Sequence, residues 1–136
     1  MKRWWLVFMG LVLATSVLAQ TKVVYHLVDG IPQAARAIGN IHNHLGADPT
    51  ARIVVVGHGA GIDFMLEGAQ TPTNQSFADA IADLSAKGVE FRICNNTLTN
   101  QRIAKEKVVM EAKVVPSGVV EVANLQAQQG FVYLRP

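Results

Sequence analysis

A chain of 136 residues with twelve Lys/Arg against ten Asp/Glu carries a formal charge of +2, and half of it is apolar. That length suits one domain with one continuous core. The charge is too small and too scattered to neutralise a phosphate backbone, so no nucleic acid is expected as partner.

Residues 1–19 have the grammar of a secretory signal peptide. Lys2 and Arg3 precede an apolar run from Trp4 to Leu13, and Val17 and Ala19 occupy the −3 and −1 positions before Gln20. Thr15 and Ser16 break that run short of the roughly 20 apolar residues a membrane anchor needs. The expected organisation is a signal peptide over 1–19 and one domain over 20–136, exported to the periplasm and free of the membrane once the leader is removed. Both tryptophans, Lys2 and Arg3 leave with it, so ten basic side chains then face ten acidic ones. Cys94 is the only cysteine, which rules out an intramolecular disulfide and a fold stapled by bridges.

The elements follow in order. Residues 22–28 (KVVYHLV) are nearly continuous in apolar character, as in a strand buried on both faces. Asp29 and Gly30 close it. Pro32 suits a first helical turn, and Ile31, Ala34, Ala35, Ile38, Ile41 and Leu45 recur at helical spacing, with Gln33, Arg36, Asn40 and Asn43 on the polar side and Gly46 as the stop. A second apolar strand spans 51–56. After the glycine-rich turn at 57–61, residues 62–66 predict one or two helical turns, and 68–75 a polar loop. Ser76 and Asp79 make a capping-box-like start to a helix whose buried stripe is Phe77, Ala80, Ile81 and Leu84, with Lys87 in its last turn and Gly88 ending it. Val89, Phe91 and Ile93 alternate with Glu90 and Arg92, the period of a strand, and Cys94 stands at its tip. Residues 95–101 read as a capped turn or short helix, with Asn95 or Asn96 as its cap, and 102–111 as a surface connection. A short strand at 112–115, a helix from 119 to about 128 with Ser117 as N-cap, and a strand at 131–134 complete the chain. Five strands alternating with helices specify a three-layer α/β/α domain with a mainly parallel sheet, flavodoxin-like in architecture; strand order stays open.

In such sheets ligands bind at the carboxyl ends of the strands. That rim collects Asp29 and Gly30 after the first strand, His58 after the second, Cys94 after the third and Ser117 and Gly118 after the fourth. Cys94 is the one strong nucleophile there. A helix N-terminus behind it, or Arg92 or His58 as a cation beside it, would favour the thiolate; a strand-end cysteine also serves simply as a small buried hydrophobe. His58, between Gly57 and Gly59, can act as base or donor, or merely cap its turn. The amides of the 57–61 turn could hold a small anion, although the turn lacks the Lys-Ser/Thr of a phosphate loop. His26, in the first strand, and His42 read as satisfied interior or interface residues, and His42 and His44 diverge on their helix. No metal and no cofactor is expected.

The runs 25–30 (YHLVDG), 53–59 (IVVVGHG), 88–98 (GVEFRICNNTL) and 115–119 (VPSGV) resemble the DsrE/DsrF-like family, in particular its exported single-domain branch. The cysteine-bearing run is the most specific of the four. The resemblance implies a three-layer α/β fold, assembly into trimers or hexamers, and a cysteine that carries sulfane sulfur, a role that falls here on Cys94. Two functions follow as expectations. One is a periplasmic sulfur carrier holding a persulfide on Cys94, with Gly57, His58, Gly59, Asn95, Asn96, Asp29 and Ser117 shaping the pocket and stabilising the anion, and a small sulfur compound or a protein sulfur donor or acceptor as partner. The other is a non-catalytic oligomeric module that binds a small ligand and needs Cys94 only for packing.

Overall fold

The computed structural model describes residues 18–136; the signal-peptide expectation falls almost entirely outside them. The described residues form five strands, β1 (Lys22–Leu27), β2 (Arg52–Gly57), β3 (Glu90–Cys94), β4 (Ala112–Val115) and β5 (Val132–Leu134), with helices α1 (Ile31–Ala47), α2 (Phe77–Ala86), α3 (Asn95–Asn100) and α4 (Gly118–Gln129). A 3-10 helix, Gly59–Met65, follows β2, and a 3-10 turn, Lys105–Lys107, lies in the connection before β4. All pairings are parallel and the order across the sheet is β4-β3-β2-β1-β5. The α/β class and the parallel sheet expected from the alternation are therefore present.

That order explains the two layers. From β1 through β2 and β3 to β4 the chain moves in one direction across the sheet, and right-handed crossovers put the intervening segments on one face. The last crossover runs back from one edge, β4, to the other, β5, so α4 falls on the opposite face and spans the width of the sheet. The first face is a large apolar core in which Tyr25, Phe64, Phe77, Phe91, Ile41, Ile81 and Leu84 are fully buried or nearly so. Phe64 meets Phe77 and Phe91 edge-on, with ring centroids 5.6 and 6.3 Å apart, a favoured aromatic geometry. The second face holds only Val24, Val54, Val56, Val122, Leu125 and Phe131 in its buried cluster. Beside them Arg92 pairs with Glu121 of α4 and, at 2.6 Å, with Glu90, which also meets Arg52 at 3.2 Å.

Local chemistry sets the element ends. Ser76 caps α2, its hydroxyl accepting from the Asp79 amide, and Gly130 ends α4 in the left-handed conformation, φ 73°, which glycine adopts without steric cost. One cap differs from expectation and another matches it in position only. The N-cap residue of α3 is Cys94 itself, with neither asparagine in that position, and Ser117 occupies the N-cap of α4 without a side-chain cap bond. Gln33, placed by spacing on the polar side of α1, is fully buried. Its Oε1 accepts from the amides of Val28 and Asp29, at 2.7 and 2.8 Å, and its Nε2 donates to the Pro136 carbonyl at 3.3 Å. The turn leaving β1 exposes two amides that need an acceptor, and a buried glutamine meets that need.

Candidate functional site: a cysteine between two helix starts

Parallel register brings the rim together. Gly57 pairs with Ile93 and Cys94 with Val115, so the residues that follow β2 run alongside the end of β3. Gly118, the first residue of α4, closes over them. A Cβ placed on Gly118 would lie 3.0 Å from the His58 Cβ and 3.2 Å from the Cys94 Cβ. Only glycine lets the start of α4 come this close, and the sulfur consequently sits where α3 and α4 both begin.

Cys94 is buried, 4 % exposed. Burial alone would raise the thiol pKa, but the Thr97 hydroxyl and the backbone amides of Gly118, Thr97 and Asn96 oppose it and bring the pKa below its ordinary value. The neutral thiol makes no cap hydrogen bond of standard geometry, so these donors act chiefly on the anion, whose full charge attracts N–H and O–H groups more strongly. Thr97 is held for the task. Its Oγ1 accepts from the Gly59 amide at 3.0 Å, which leaves the hydroxyl proton free for the sulfur. Gly59 has φ +55°, again a glycine conformation.

The expected cationic help is absent from this arrangement. The guanidinium of Arg92 is engaged by Glu90 and Glu121. The pKa of His58 is lowered, by burial first and then by Arg135, which favours the neutral ring. Hydrogen bonding is therefore what favours the thiolate. The anion cradle expected of the 57–61 turn is also largely spent: the amides of His58, Gly59 and Gly61 donate to the Leu27 carbonyl, to Thr97 and to the His58 carbonyl. Gly57 serves packing, since a Cβ there would meet the Gly61 carbonyl oxygen at 2.4 Å.

The other sequence candidates divide between two places. Asn96 contributes its amide to Cys94, and Asn95 lines a shallow cleft with Lys105, Val115 and Pro116. Asp29 lies toward the other side of the rim, where its carboxylate accepts from Arg135 at 2.8 Å. His26 is there as well. Its Nε2 lies 2.7 Å from the His58 Nε2 and its Nδ1 2.7 Å from the Tyr133 hydroxyl. Gly118 stood on the expected rim beside Ser117, whereas spacing along the chain missed Thr97 and Tyr133. The alternation of β1 held the available signal for the histidines: His26 shares a face with Val24, the α4 side, and stands one strand away from where β2 delivers His58. A separate apolar cleft between Ile38 of α1 and Phe77 of α2 has no titratable group in its lining. Among the described residues no group of three or more His, Cys, Asp or Glu side chains is arranged to hold a metal.

Solved structures share this architecture. A protein of unknown function, MTH1491 from Methanobacterium thermoautotrophicum, superposes with a TM-score of 0.76 at 25% identity, over 86% of this chain and all of its own. The ychN protein from E. coli superposes with a TM-score of 0.68 at 11% identity, over 88% of this chain and all of its own. Among curated proteins none matches in sequence. The family model of the DsrE/DsrF-like proteins matches residues 9–135, and with a parallel sheet of the same kind and a cysteine closing its third strand, the chain belongs to the DsrE/DsrF-like family.

Proposed function

We propose that the protein carries sulfane sulfur as a persulfide on Cys94. The family is associated in general with sulfur relay, and the observation that carries the reading is a thiol held where α3 and α4 begin, with a hydroxyl and three amides disposed to favour its anion. The Cys94 thiolate attacks the outer sulfur of thiosulfate. A new S–S bond forms, the donor's S–S bond breaks, and sulfite departs with the electron pair. An acceptor thiolate later takes the outer sulfur and returns Cys94 to its thiolate. The same donors serve the persulfide anion, while Asn95 and Ser117 frame the pocket and the Cβ of His58 borders Gly118 beside that of Cys94.

We further infer export to the periplasm, from the leader over residues 1–19, and assembly into a trimer or hexamer. Exposed Val119 and Val120 on the first turn of α4 support the assembly, since apolar side chains exposed beside a functional rim are typical of a covered surface. A partner subunit seated there would help close the pocket. Its partners are then a small sulfur compound or a protein donor or acceptor.

Incubation of residues 20–136 with thiosulfate or polysulfide, followed by intact mass, tests the carrier reading. One added sulfur on the native protein and none on Cys94→Ser is the expected result. No added sulfur on folded wild-type protein overturns it. The burial of Cys94 favours a second reading, a small-ligand-binding module in which the cysteine packs. Resistance of the thiol to a small alkylating reagent until denaturation would select that reading.

A further inference from the structure

The histidine pair on the rim is not used by the donors around Cys94. Two imidazole nitrogens 2.7 Å apart must share a hydrogen bond, one carrying the proton and the other offering its lone pair. A tetrahedral metal with Zn–N bonds near 2.0–2.1 Å would hold two such nitrogens roughly 3.3 Å apart, so this spacing is that of a direct N–H···N bond. The Tyr133 hydroxyl, 2.7 Å from the His26 Nδ1, fixes the remaining choice. If Tyr133 donates, His26 carries its proton on Nε2 and gives it to His58; if His58 donates, His26 passes its own Nδ1 proton to Tyr133. The three groups form one line with two coherent settings.

We propose that Tyr133, His26 and His58 constitute a proton relay from the sheet edge to the cysteine pocket, with His26 a positioning residue that sets the proton state of His58. A proton from a solvent acid enters at the Tyr133 oxygen. The former hydroxyl proton moves to the His26 Nδ1, and the former His26 Nε2 proton moves to the His58 Nε2. Water or the buffer base is left outside, and His58, whose Cβ borders Gly118 as that of Cys94 does, becomes an imidazolium with its Nδ1 proton to give to an anionic group leaving the sulfur. Reversal returns the proton to solvent.

The surroundings fit transit better than storage. Tyr133, on edge strand β5, is 44 % exposed and supplies the solvent end. His26 and His58 are half-buried. The groups facing them are Arg135 beyond β5, Asp29 after β1 and Tyr133 itself, while the Cβ atoms of His58 and Cys94 both border Gly118. Burial and Arg135 disfavour a resident positive charge on either ring. In His26 the charge on His58 opposes protonation too, and Asp29 works the other way. Such a pair accepts one proton, shares it, and resists a second.

The relay rests on the persulfide reading for its purpose but not for its test. Imidazole 15N NMR on residues 20–136 should show the two rings titrating as a coupled unit with two separated apparent steps. His26→Gln should leave His58 a single step at a shifted midpoint, and Tyr133→Phe, a conservative change at the sheet edge, should alter the His26 tautomer ratio. Independent titration of the two rings, or a His58 curve unmoved by His26→Gln, overturns the relay whether or not Cys94 takes up sulfur. With thiosulfate, both variants should lose roughly tenfold in sulfur-transfer rate, a part of the 10²–10⁴ a general acid or base contributes, and the acidic limb of the pH profile should move. Unchanged rates and limb in folded, sulfur-loaded variants would equally overturn it. If Cys94 takes up no sulfur while the rings titrate as a pair, the relay stands and the carrier reading alone fails.

Discussion

One face of the sheet turns Tyr25, Phe91 and Ile93 toward α1, α2 and the 3-10 helix after β2; the other turns His26, Arg92 and Cys94 toward α4 alone. The difference comes from chain direction, because three crossovers share the first face and a single long one makes the second. The well-covered face provides a close-packed interior that fixes the strand ends. On the thinly covered face, polar and charged side chains can alternate into the sheet and still reach partners or water. The chemistry collects there because the cover is incomplete and because Gly118 brings the start of α4 down onto the rim.

The largest expected contrast is in stability. Phe91→Ala removes a ring packed against Phe64 and should cost about 3–5 kcal/mol, whereas Val122→Ala on the thin face removes two methyl groups at about 0.8 kcal/mol each. Urea unfolding followed by circular dichroism measures both. Equal losses would mean that the two faces are equally packed and would break the comparison.

Gly118→Ala comes next. Its methyl would have to enter a space bounded by the Cβ atoms of His58 and Cys94, so the first turn of α4 must lift. Overpacking of this kind costs about 1–3 kcal/mol, and the Gly118 amide would leave the sulfur. The thiol pKa should therefore rise, as read from thiolate absorbance or the pH dependence of alkylation. A stable variant with an unchanged thiol would show that the start of α4 contributes nothing to the anion.

How much of this was legible beforehand depended on the kind of signal. The strands announced themselves through runs such as 53–56 (IVVV), and the rim followed from parallel topology together with Asp29, His58 and Cys94 standing at strand ends. Strand order did not, because it arises from crossovers that leave no local trace. Gln33 was misplaced because helical spacing records which side faces the core, and a buried glutamine answering two backbone amides breaks that rule for a local reason. Thr97 and Gly118 act on the sulfur from separate segments, and Tyr133 reaches His26 across 107 residues of chain. Such partnerships are set by register and by the long return of α4, neither of which a motif encodes. Arg92 pointed the wrong way for a related reason: nothing in its own strand revealed that Glu121 would claim it.

The smallest effect, and the one that separates the two parts of the rim, is the response of stability to pH. His26 and His58 both have lowered pKa values in the folded protein, so as the pH falls below about 6.5 the unfolded chain takes up protons before the native one does. Stability from the neutral pair is fully present above that value and is lost as the pH falls through it toward the folded pKa values. Each ring is only half-buried, so solvent screening should keep the slope well under about 1.4 kcal/mol per pH unit. The Cys94 pKa is also lowered, and its window is bounded above by the ordinary thiol value. There stability grows as the pH rises from the folded pKa to about 8.5 and is lost as the pH falls back through the folded value. Urea midpoints measured across pH should rise in both windows for the wild type. His26→Gln should flatten only the histidine window and Cys94→Ser only the thiol window. A single substitution that flattens both would mean that sulfur and histidines titrate as one cluster, and the division of the rim into an anion site and a proton path would have to be abandoned.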